Sequence, residues 1–478
     1  MSRSWHEECG VFGVYAPGED VSRITFFGLH ALQHRGQESA GIATTDGKLI
    51  HIHTGMGLVS QVFREEHLRR LPGKIAIGHN RYSTSGASKP GNAQPIKGQR
   101  RPASEGIALA HNGNLVNTQE LRRRLKKPHH FPVETDSQLM ALLLCTSPGR
   151  DWIERVRHTI PEFRGSYSLV LLTRDSLMGI RDPYGVRPLC LGRLRGGWVL
   201  ASESCALDHI GSQFVREVEP GELVCIDSRG VTSLMIAQPA KGGRALCMFE
   251  FIYFARPDSI INGQLLYPVR QAMGAQLAVE HPVAADLVIG VPDSATAAGI
   301  GYAQASGIPF VEGLLKNRYV GRTFIEPDQR IRELGVQLKF NALPEILKGK
   351  RVVVVDDSIV RGTTTPRIVA LLRRAGAREV HMRVCAPPIR YPCFYGVDMA
   401  TQGELIAAHK STPEIATIIG ANTLGYLNLD GLIHAVGLPR NIFCLACFTG
   451  DYPIPSQPEM ERELTAVPRG DREGISIL

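Results

Sequence analysis

No run of 18 apolar residues occurs in the 478-residue chain, so no membrane-spanning helix is expected. The first eight residues, MSRSWHEE, have none of the apolar core that a secretory leader needs. Cysteine is too sparse for a disulfide scaffold: ten in 478 residues fit thiol chemistry or metal ligation in a reducing cytoplasm. A nucleic-acid signature is missing as well. The formal charge of +8 therefore suits small polyanionic substrates better than a nucleic-acid polymer. What remains, 43% hydrophobic and 21% charged residues, describes a globular protein of two or three domains with ample length for large cores.

The most informative stretch is Val352–Thr365, VVVVDDSIVRGTTT. Four consecutive valines suit a buried parallel strand, apolar on both faces. Asp356 and Asp357 stand at its C-terminal end. Arg361, Gly362, Thr363, Thr364 and Thr365 then lead into the apolar-periodic run Ile368–Leu372. The free N–H groups and dipole of a helix start favour phosphate, threonine hydroxyls add donors, and a ribose diol wants carboxylate acceptors. The segment reads as a cradle for a ribose 5-phosphate. An ordinary strand–helix junction with a chance acidic pair would carry the same residues.

A second buried strand, Asp286–Pro292, ends in Asp293-Ser294-Ala295-Thr296 before a small-residue helix. Further on, Lys316, Arg318, Arg322, Arg330, Arg332 and Lys339 are interleaved with Tyr319 and Phe324 in a long polar interval. That composition suits a lid closing on a diphosphate.

In the N-terminal half, polar clusters sit where strands end. Cys9 opens the strand Gly10–Val14, and Gln33–Gly41 is a glycine-punctuated polar loop. Arg81 follows the strand Ile75–Ile77, Asn112-Gly113 follows Ile107–Ala110, and Glu134-Thr135-Asp136-Ser137 caps a helix around Gln138–Leu144. Taken singly, Cys9 is core, Asn112-Gly113 a turn and Asp136 a helix cap. From Gly165 to Ser204 strands and turns alternate, with Asp182-Pro183-Tyr184-Gly185 as a turn joining two strands. That stretch offers no chemistry, and Cys145, Cys190, Cys205 and Cys225 have the apolar context of core. Ala237–Gly243 is the best domain boundary, and the charged, proline-bearing segment 451–478 reads as a terminal appendage.

Val352–Thr365 closely resembles the 5-phosphoribosyl 1-diphosphate (PRPP) motif of type I phosphoribosyltransferases. The resemblance implies that Arg361, Gly362 and Thr363–Thr365 hold the 5-phosphate, and that Asp356 and Asp357 hold the ribose hydroxyls and assist Mg²⁺. It makes Ser294 a Mg²⁺-site residue and Lys316 the start of a flexible catalytic loop. From Cys9 to about Ala237 the polar blocks resemble the class II glutamine amidotransferase domain, an N-terminal-nucleophile hydrolase. That resemblance implies that residues 1–8 are a propeptide and that Cys9 becomes the mature N-terminus. A thiol needs a nearby base, and a freed α-amino group, with a pKa of about 8, can serve where an amide nitrogen cannot. Glutamine's carboxylate calls for an arginine fork, Arg81, and its ammonium for a carboxylate, Asp136. Its tetrahedral oxyanion calls for preorganised donors, in the family the Asn112 side chain and the Gly113 N–H.

Over Cys9–Tyr452 the whole resembles the amidophosphoribosyltransferase family, in its iron–sulfur, propeptide-bearing branch. The fold implied is an αββα glutaminase sandwich over residues 9–237, then a type I phosphoribosyltransferase domain with a mostly parallel sheet over 245–450, then the tail 451–478. The reaction implied makes 5-phosphoribosylamine, glutamate and diphosphate from PRPP, glutamine and water, opening purine (IMP) biosynthesis. The family further implies a cytoplasmic homotetramer inhibited by purine nucleotides, AMP and GMP, with no nucleic-acid or membrane partner. Its cofactors would be Mg²⁺ and one [4Fe–4S] cluster per subunit. Four thiolates suit iron–sulfur or zinc alike; the resemblance favours iron, on Cys247, Cys393, Cys444 and Cys447. Pro366 departs from the pattern, because it has no N–H for a phosphate, although proline is at home at the first helical position. An asparagine synthetase would carry an SGGxDS-like ATP loop, which is absent, and a glucosamine-phosphate synthase would not need VVVVDDSIVRGTTT. A PRPP-sensing regulator without activity would not need Arg81, Asn112, Asp136 and a processable Cys9 together.

Overall fold

The structure, a computed structural model, describes residues 9–82, 88–98, 106–125, 133–238, 243–317, 340–397 and 401–456. The expected propeptide, the basic interval 318–339 and residues 457–478 of the tail lie outside the described residues.

The first half of the chain builds two antiparallel sheets. One has seven strands, in spatial order Gln213–Glu217, Cys190–Leu194, Gly197–Ala201, Gly10–Tyr15, Ile75–Arg81, Ser39–Thr45 and Ile50–Met56. The other has six: Gly230–Met235, Glu222–Asp227, Leu177–Arg181, Gly165–Leu172, Ile107–Leu115 and Ile96–Gly98. Their inner faces meet through Val11, Ile77, Ala110, Val170, Leu177 and Leu200. The helix Val21–Ala31 packs its apolar side on the first sheet, beside Phe12 and Val14. Asp136–Thr146 covers the second, with Leu139, Leu144, Leu109 and Leu169 in one core. This is the αββα sandwich expected from the sequence. Cys145 and Cys225 lie in the core under the six-stranded sheet, Cys190 and Cys205 in that of the seven-stranded one.

The turn Asp182-Pro183-Tyr184-Gly185 joins two strands, as expected, and they belong to different sheets: Leu177–Arg181 to the six-stranded sheet and Cys190–Leu194 to the other, so the chain crosses between layers here. The crossing is held by Asp182, fully buried, which accepts from the N–H groups of Tyr167 at 3.2 Å, Tyr184 at 2.9 Å and Val186 at 3.1 Å. Burial pushes its carboxyl up to about 6, against the pull of Arg181 and these donors.

The second half forms a four-stranded parallel sheet, ordered Leu287–Gly290, Arg351–Asp356, Glu379–Val384 and Thr423–Tyr426. Val352 to Val355 alternate between its two faces and all are fully buried, so both faces are covered. Leu246–Cys247 and Phe443–Cys444 pair as a separate parallel ribbon that joins the start of this unit to its end. No helix among the described residues is long and apolar enough to cross a membrane.

The two units share a buried ionic junction. Arg35 donates to Glu203 at 2.5 Å and, through both terminal nitrogens, to Glu250 at 3.0 and 2.7 Å. The side chains of Arg35, Glu203, Glu250 and Arg187 have no solvent exposure. Glu203 also accepts from the Arg256 N–H at 2.9 Å and the Ser259 hydroxyl at 2.7 Å, both in the second unit. Burial would raise its carboxyl, but His34 and Arg35 overcome that and hold it well below the usual carboxylate range. Removing one member of such a network strands the others without solvent, at about 3–5 kcal/mol. Glu250→Ala is therefore expected to lose about that much stability in denaturant titrations followed by circular dichroism and tryptophan fluorescence. An Ala variant within about 0.5 kcal/mol of the parent, the range of ordinary surface changes, would show that the network does not hold the units together.

Candidate functional site

At one end of the sandwich a chain of contacts links the residues singled out in the first half. Cys9 precedes the strand Gly10–Tyr15, whose register places Gly10 opposite Asn80. The buried thiol lies 3.4 Å from the carbonyl of Tyr82, and the Cys9 carbonyl accepts from Arg35 Nε at 3.1 Å. Arg81, also buried, sits 3.8 Å from Glu38. His79 Nε2 lies 2.9 Å from the His111 carbonyl and so ties the two sheets together here. Burial pushes His79 down to about 3 and lowers His111 too, so both rings are uncharged at neutral pH.

The next two residues after His111 carry unusual features. Asn112 Nδ2 is buried without a partner among the described residues, an arrangement that costs about 1–3 kcal/mol unless a ligand supplies an acceptor. Gly113 has φ +144, and a Cβ there would collide with the Ser166 carbonyl, so only glycine fits. Thr135, not Asp136, caps the helix Asp136–Thr146: its hydroxyl accepts from the Gln138 N–H at 3.2 Å and Gln138 Oε1 accepts from the Thr135 N–H at 3.2 Å. Asp136 is thereby free of the capping role. Its buried carboxylate accepts from the Ser137 N–H at 2.8 Å and the Leu115 N–H at 3.2 Å, and lies 3.6 Å from His111 Nδ1.

The second constellation stands at the C-terminal edge of the parallel sheet. Asp356 ends the strand Arg351–Asp356, Asp357 follows, and both are buried. Their carbonyls accept from Cys385 N–H at 3.0 Å and Ala386 N–H at 2.8 Å, which fixes the backbone of the pair. Burial raises the Asp356 carboxyl and the neighbouring Asp357 charge raises it further. Burial also raises Asp357, opposed by hydrogen bonds from Ser294 and Ser358 and by the Arg270 charge. The chain then turns through Gly362, and Thr364 is the N-cap of the helix Thr365–Arg374. Pro366 is thus the second helical residue, one place later than expected, still in the turn where an N–H has no intrahelical acceptor. Among the described residues no protein acceptor faces the N–H groups of Gly362, Thr363, Thr364 or Thr365. Lys316 ends the strand Leu314–Lys316, which pairs with Phe340–Ala342 and so clamps the two ends of the basic interval. Its ammonium is 2.7 Å from Asp293.

The third group is sulfur. Cys247, Cys393, Cys444 and Cys447 line one small cavity together with Arg187, Phe249, Tyr395 and Tyr452. Cys247 and Cys444 are register partners, and the Tyr395 N–H points at Cys393 Sγ from 3.3 Å. Burial pushes the Cys444 thiol up to about 12 and raises Cys447 well above its usual value, with the other three cysteines adding to the latter. Among the described residues no three His, Cys, Asp or Glu side chains are close enough to hold a single metal ion. Residues that the sequence did not flag are Arg35, Glu203 and Glu250 at the junction, and Arg270, buried beside Asp357 and donating to the Phe251 and Ala255 carbonyls at 2.9 and 2.6 Å. Glu250 had one visible signal, a lone acid within the apolar run MFEFIYF.

Comparison with known proteins adds to this geometry. Residues 79–209 match the family model described as a glutamine amidotransferase domain, and residues 281–390 that of a phosphoribosyl transferase domain. Amidophosphoribosyltransferase from Synechocystis sp. is 52% identical over 455 residues, covering 94% of this chain and 91% of the relative. The solved glutamine PRPP amidotransferase from B. subtilis, complexed with ADP and GMP, superposes with a TM-score of 0.88 at 44% identity, over 96% of this chain and 99% of that one. A structure described as the allosteric regulatory enzyme of purine biosynthesis gives a TM-score of 0.89 at 45% identity, over 94% of this chain and 97% of that one.

The acidic pair yields a prediction with a definite sign. Raised carboxyls favour the folded state when protonated, so their contribution is full at low pH and lost as pH rises through the raised values. A bound cation reverses this by stabilising the ionised pair. Asp356→Asn removes one charge and keeps an acceptor for the Asp357 N–H, now 2.9 Å from Asp356 Oδ1. The free variant is expected to melt about 1–4 °C higher than the parent. It should lose the stabilisation by added Mg²⁺ and PRPP that is expected of the parent, which should be larger at pH 8 than at pH 6. Scanning calorimetry with and without both ligands measures each quantity; a variant that melts lower and still responds fully would contradict the assignment.

Proposed function

The chain belongs to the amidophosphoribosyltransferase family, and from that premise we propose which of its residues make 5-phosphoribosylamine, glutamate and diphosphate from PRPP, glutamine and water, the opening step of purine biosynthesis. The observation that carries the reading is the presence, in one chain, of two complementary sets of groups: a buried thiol and, on the facing sheet tied to its own through His79, a buried amide donor with no acceptor among the described residues; and an acidic pair followed by a run of backbone N–H groups with none.

In the first site Arg81 holds the glutamine carboxylate and Asp136 the α-ammonium. With residues 1–8 removed, the Cys9 amine takes the thiol proton and the sulfur attacks the side-chain carbonyl. Negative charge then develops on an oxygen that Asn112 Nδ2 and the Gly113 N–H stabilise, and the stranded Asn112 donor gains its acceptor at that moment. The C–N bond breaks, the amine leaves protonated as ammonia, and water releases glutamate from the thioester. In the second site Gly362, Thr363, Thr364 and Thr365 receive the 5-phosphate with Arg361 beside them. Asp356 and Asp357 orient the ribose hydroxyls, and Lys316 exchanges Asp293 for the diphosphate. Ammonia attacks C1 as the bond to diphosphate breaks.

Ser294, Asp356 and Asp357 would hold Mg²⁺, which supplies positive charge for the departing diphosphate. Two buried carboxyls raised by burial fit a cation that relieves them. Cys247, Cys393, Cys444 and Cys447 would hold a [4Fe–4S] cluster. The four converge on one cavity, which suits iron–sulfur or zinc alike, and the resemblance to the iron–sulfur branch of the family favours iron. Tyr395 N–H is placed to stabilise a thiolate at Cys393. The B. subtilis relative was solved with ADP and GMP, and we extend nucleotide inhibition, by AMP and GMP, to this chain. A cytoplasmic homotetramer completes the reading.

Two experiments test it. Cys9→Ala is expected to lose glutamine-dependent synthesis by on the order of 10³-fold or more. It should keep synthesis from ammonia at alkaline pH, where the nitrogen lone pair is free. Asp356→Ala with Asp357→Ala should lose both. A folded Cys9→Ala protein without ammonia-dependent activity would refute the two-site scheme. Anaerobically purified protein should contain about four iron and four sulfide per chain, and stoichiometric zinc without sulfide would refute the cluster.

A further inference from the structure

The strand that carries Asn112 and Gly113 is held from outside by the other unit. Asn114 Nδ2 donates to the Phe394 carbonyl at 2.9 Å, Ser166 Oγ to the Tyr395 carbonyl at 2.6 Å, and Arg187 to that same carbonyl at 2.7 Å. All three donor residues are buried. In the antiparallel ladder Asn114 faces Ser166 and Gly113 faces Tyr167, and Ser166 Oγ also accepts from the Asn114 N–H at 3.3 Å. Gly396, at φ +98, lies directly on Gly113: a Cβ there would stand 2.9 Å from the Gly113 carbonyl carbon.

These contacts fall on the residues next to the oxyanion donors and on Gly113 itself, away from the acidic pair and the threonine loop. A donor for developing charge works only when held to within about half an ångström of its place. Gly113 has no side chain by which packing could hold it. Its backbone is confined instead between the Ser166 carbonyl on one side and Gly396 on the other.

We propose that the backbone of Phe394–Gly396 positions the oxyanion donors, so that the glutamine-hydrolysing site is complete only with the transferase unit docked against it. The inference rests on the assignment of Asn112 and Gly113 as those donors. Phe394 to Gly396 touch no reacting atom; they act through Gly113, Asn114 and Ser166.

The test uses the full chain with Gly396→Ala, Ser166→Ala and Ser166→Thr. For Gly396→Ala the expected result is about a 10- to 100-fold fall in glutaminase kcat, less than the roughly 10²–10³ of removing an oxyanion donor outright because the donor is displaced and not deleted, with KM for glutamine within about threefold. Ammonia-dependent synthesis, iron content and the rate of Cys9 alkylation by iodoacetamide should stay within about twofold of the parent, since the nucleophile and the transferase site are untouched. Ser166→Ala should move kcat in the same direction by about 3- to 10-fold, the worth of one hydrogen bond, and Ser166→Thr should restore it. Parental kcat in both Gly396→Ala and Ser166→Ala overturns the proposal. So does a parallel loss of both activities, iron and melting temperature, which is what a purely structural contact would give. Failure of the underlying assignment is distinguishable: Asn112→Ala would then hydrolyse glutamine at the parental rate whatever the Gly396 variant does.

Discussion

Everything in this chain depends on charges that have no water to fall back on. Arg35 and Glu203 come from the first unit, Glu250 from the second, and each is fully enclosed where the units meet. A desolvated ion is tolerable only with its partners in place, so neither unit presents a stable surface at this junction without the other. The same guanidinium holds the Cys9 carbonyl. Cys9, the nucleophile in the proposed scheme, is thus anchored by a residue whose own position is set by the transferase half, so in that scheme the docking of the halves is a condition on chemistry at the N-terminal strand.

Both candidate sites hold groups in states that the free protein would rather avoid. Asn112 buries an amide donor with no acceptor among the described residues, and Asp356 and Asp357 bring two carboxyls together away from solvent. These costs are small beside the burial of the valine strand and the two sheet faces, which set the frame. Neutral histidines serve where a charged group would disturb the balance: His79 and His111 link the sheets by hydrogen bonds alone, because burial keeps both uncharged.

Much of this was legible in the sequence where the determinants are local. VVVVDDSIVRGTTT specifies strand, acidic end, loop and helix start within fourteen residues, and the structure places those elements there. In the first half the strands were readable directly, though Asn112 and Gly113 lie inside the strand Ile107–Leu115 and not after it, and the layered order came from the family resemblance. What escaped was set by partners far apart in the chain. Nothing near Arg35 announces Glu250, and nothing near Arg270 announces Asp357. Asp182 reads as a turn residue because two of its backbone donors, Tyr184 and Val186, are local, while the third, Tyr167, is on another strand. The choice of Thr135 over Asp136 as helix cap turned on side-chain reach, which two adjacent polar residues leave open.

The ribbon formed by Leu246–Cys247 and Phe443–Cys444 has a temporal consequence. Its strands lie nearly two hundred positions apart, so the ribosome must release almost the entire polypeptide before they can pair. The entropy of closing so long a loop grows only slowly with its length; the delay is set by synthesis, not by thermodynamics. Through those seconds of elongation Arg35, Glu203 and Glu250 are all outside the exit tunnel while the unit that encloses Glu250 is still incomplete. The seam between the halves is then where a chaperone would be needed, and where a truncated transcript would leave a product unable to bury its own charges.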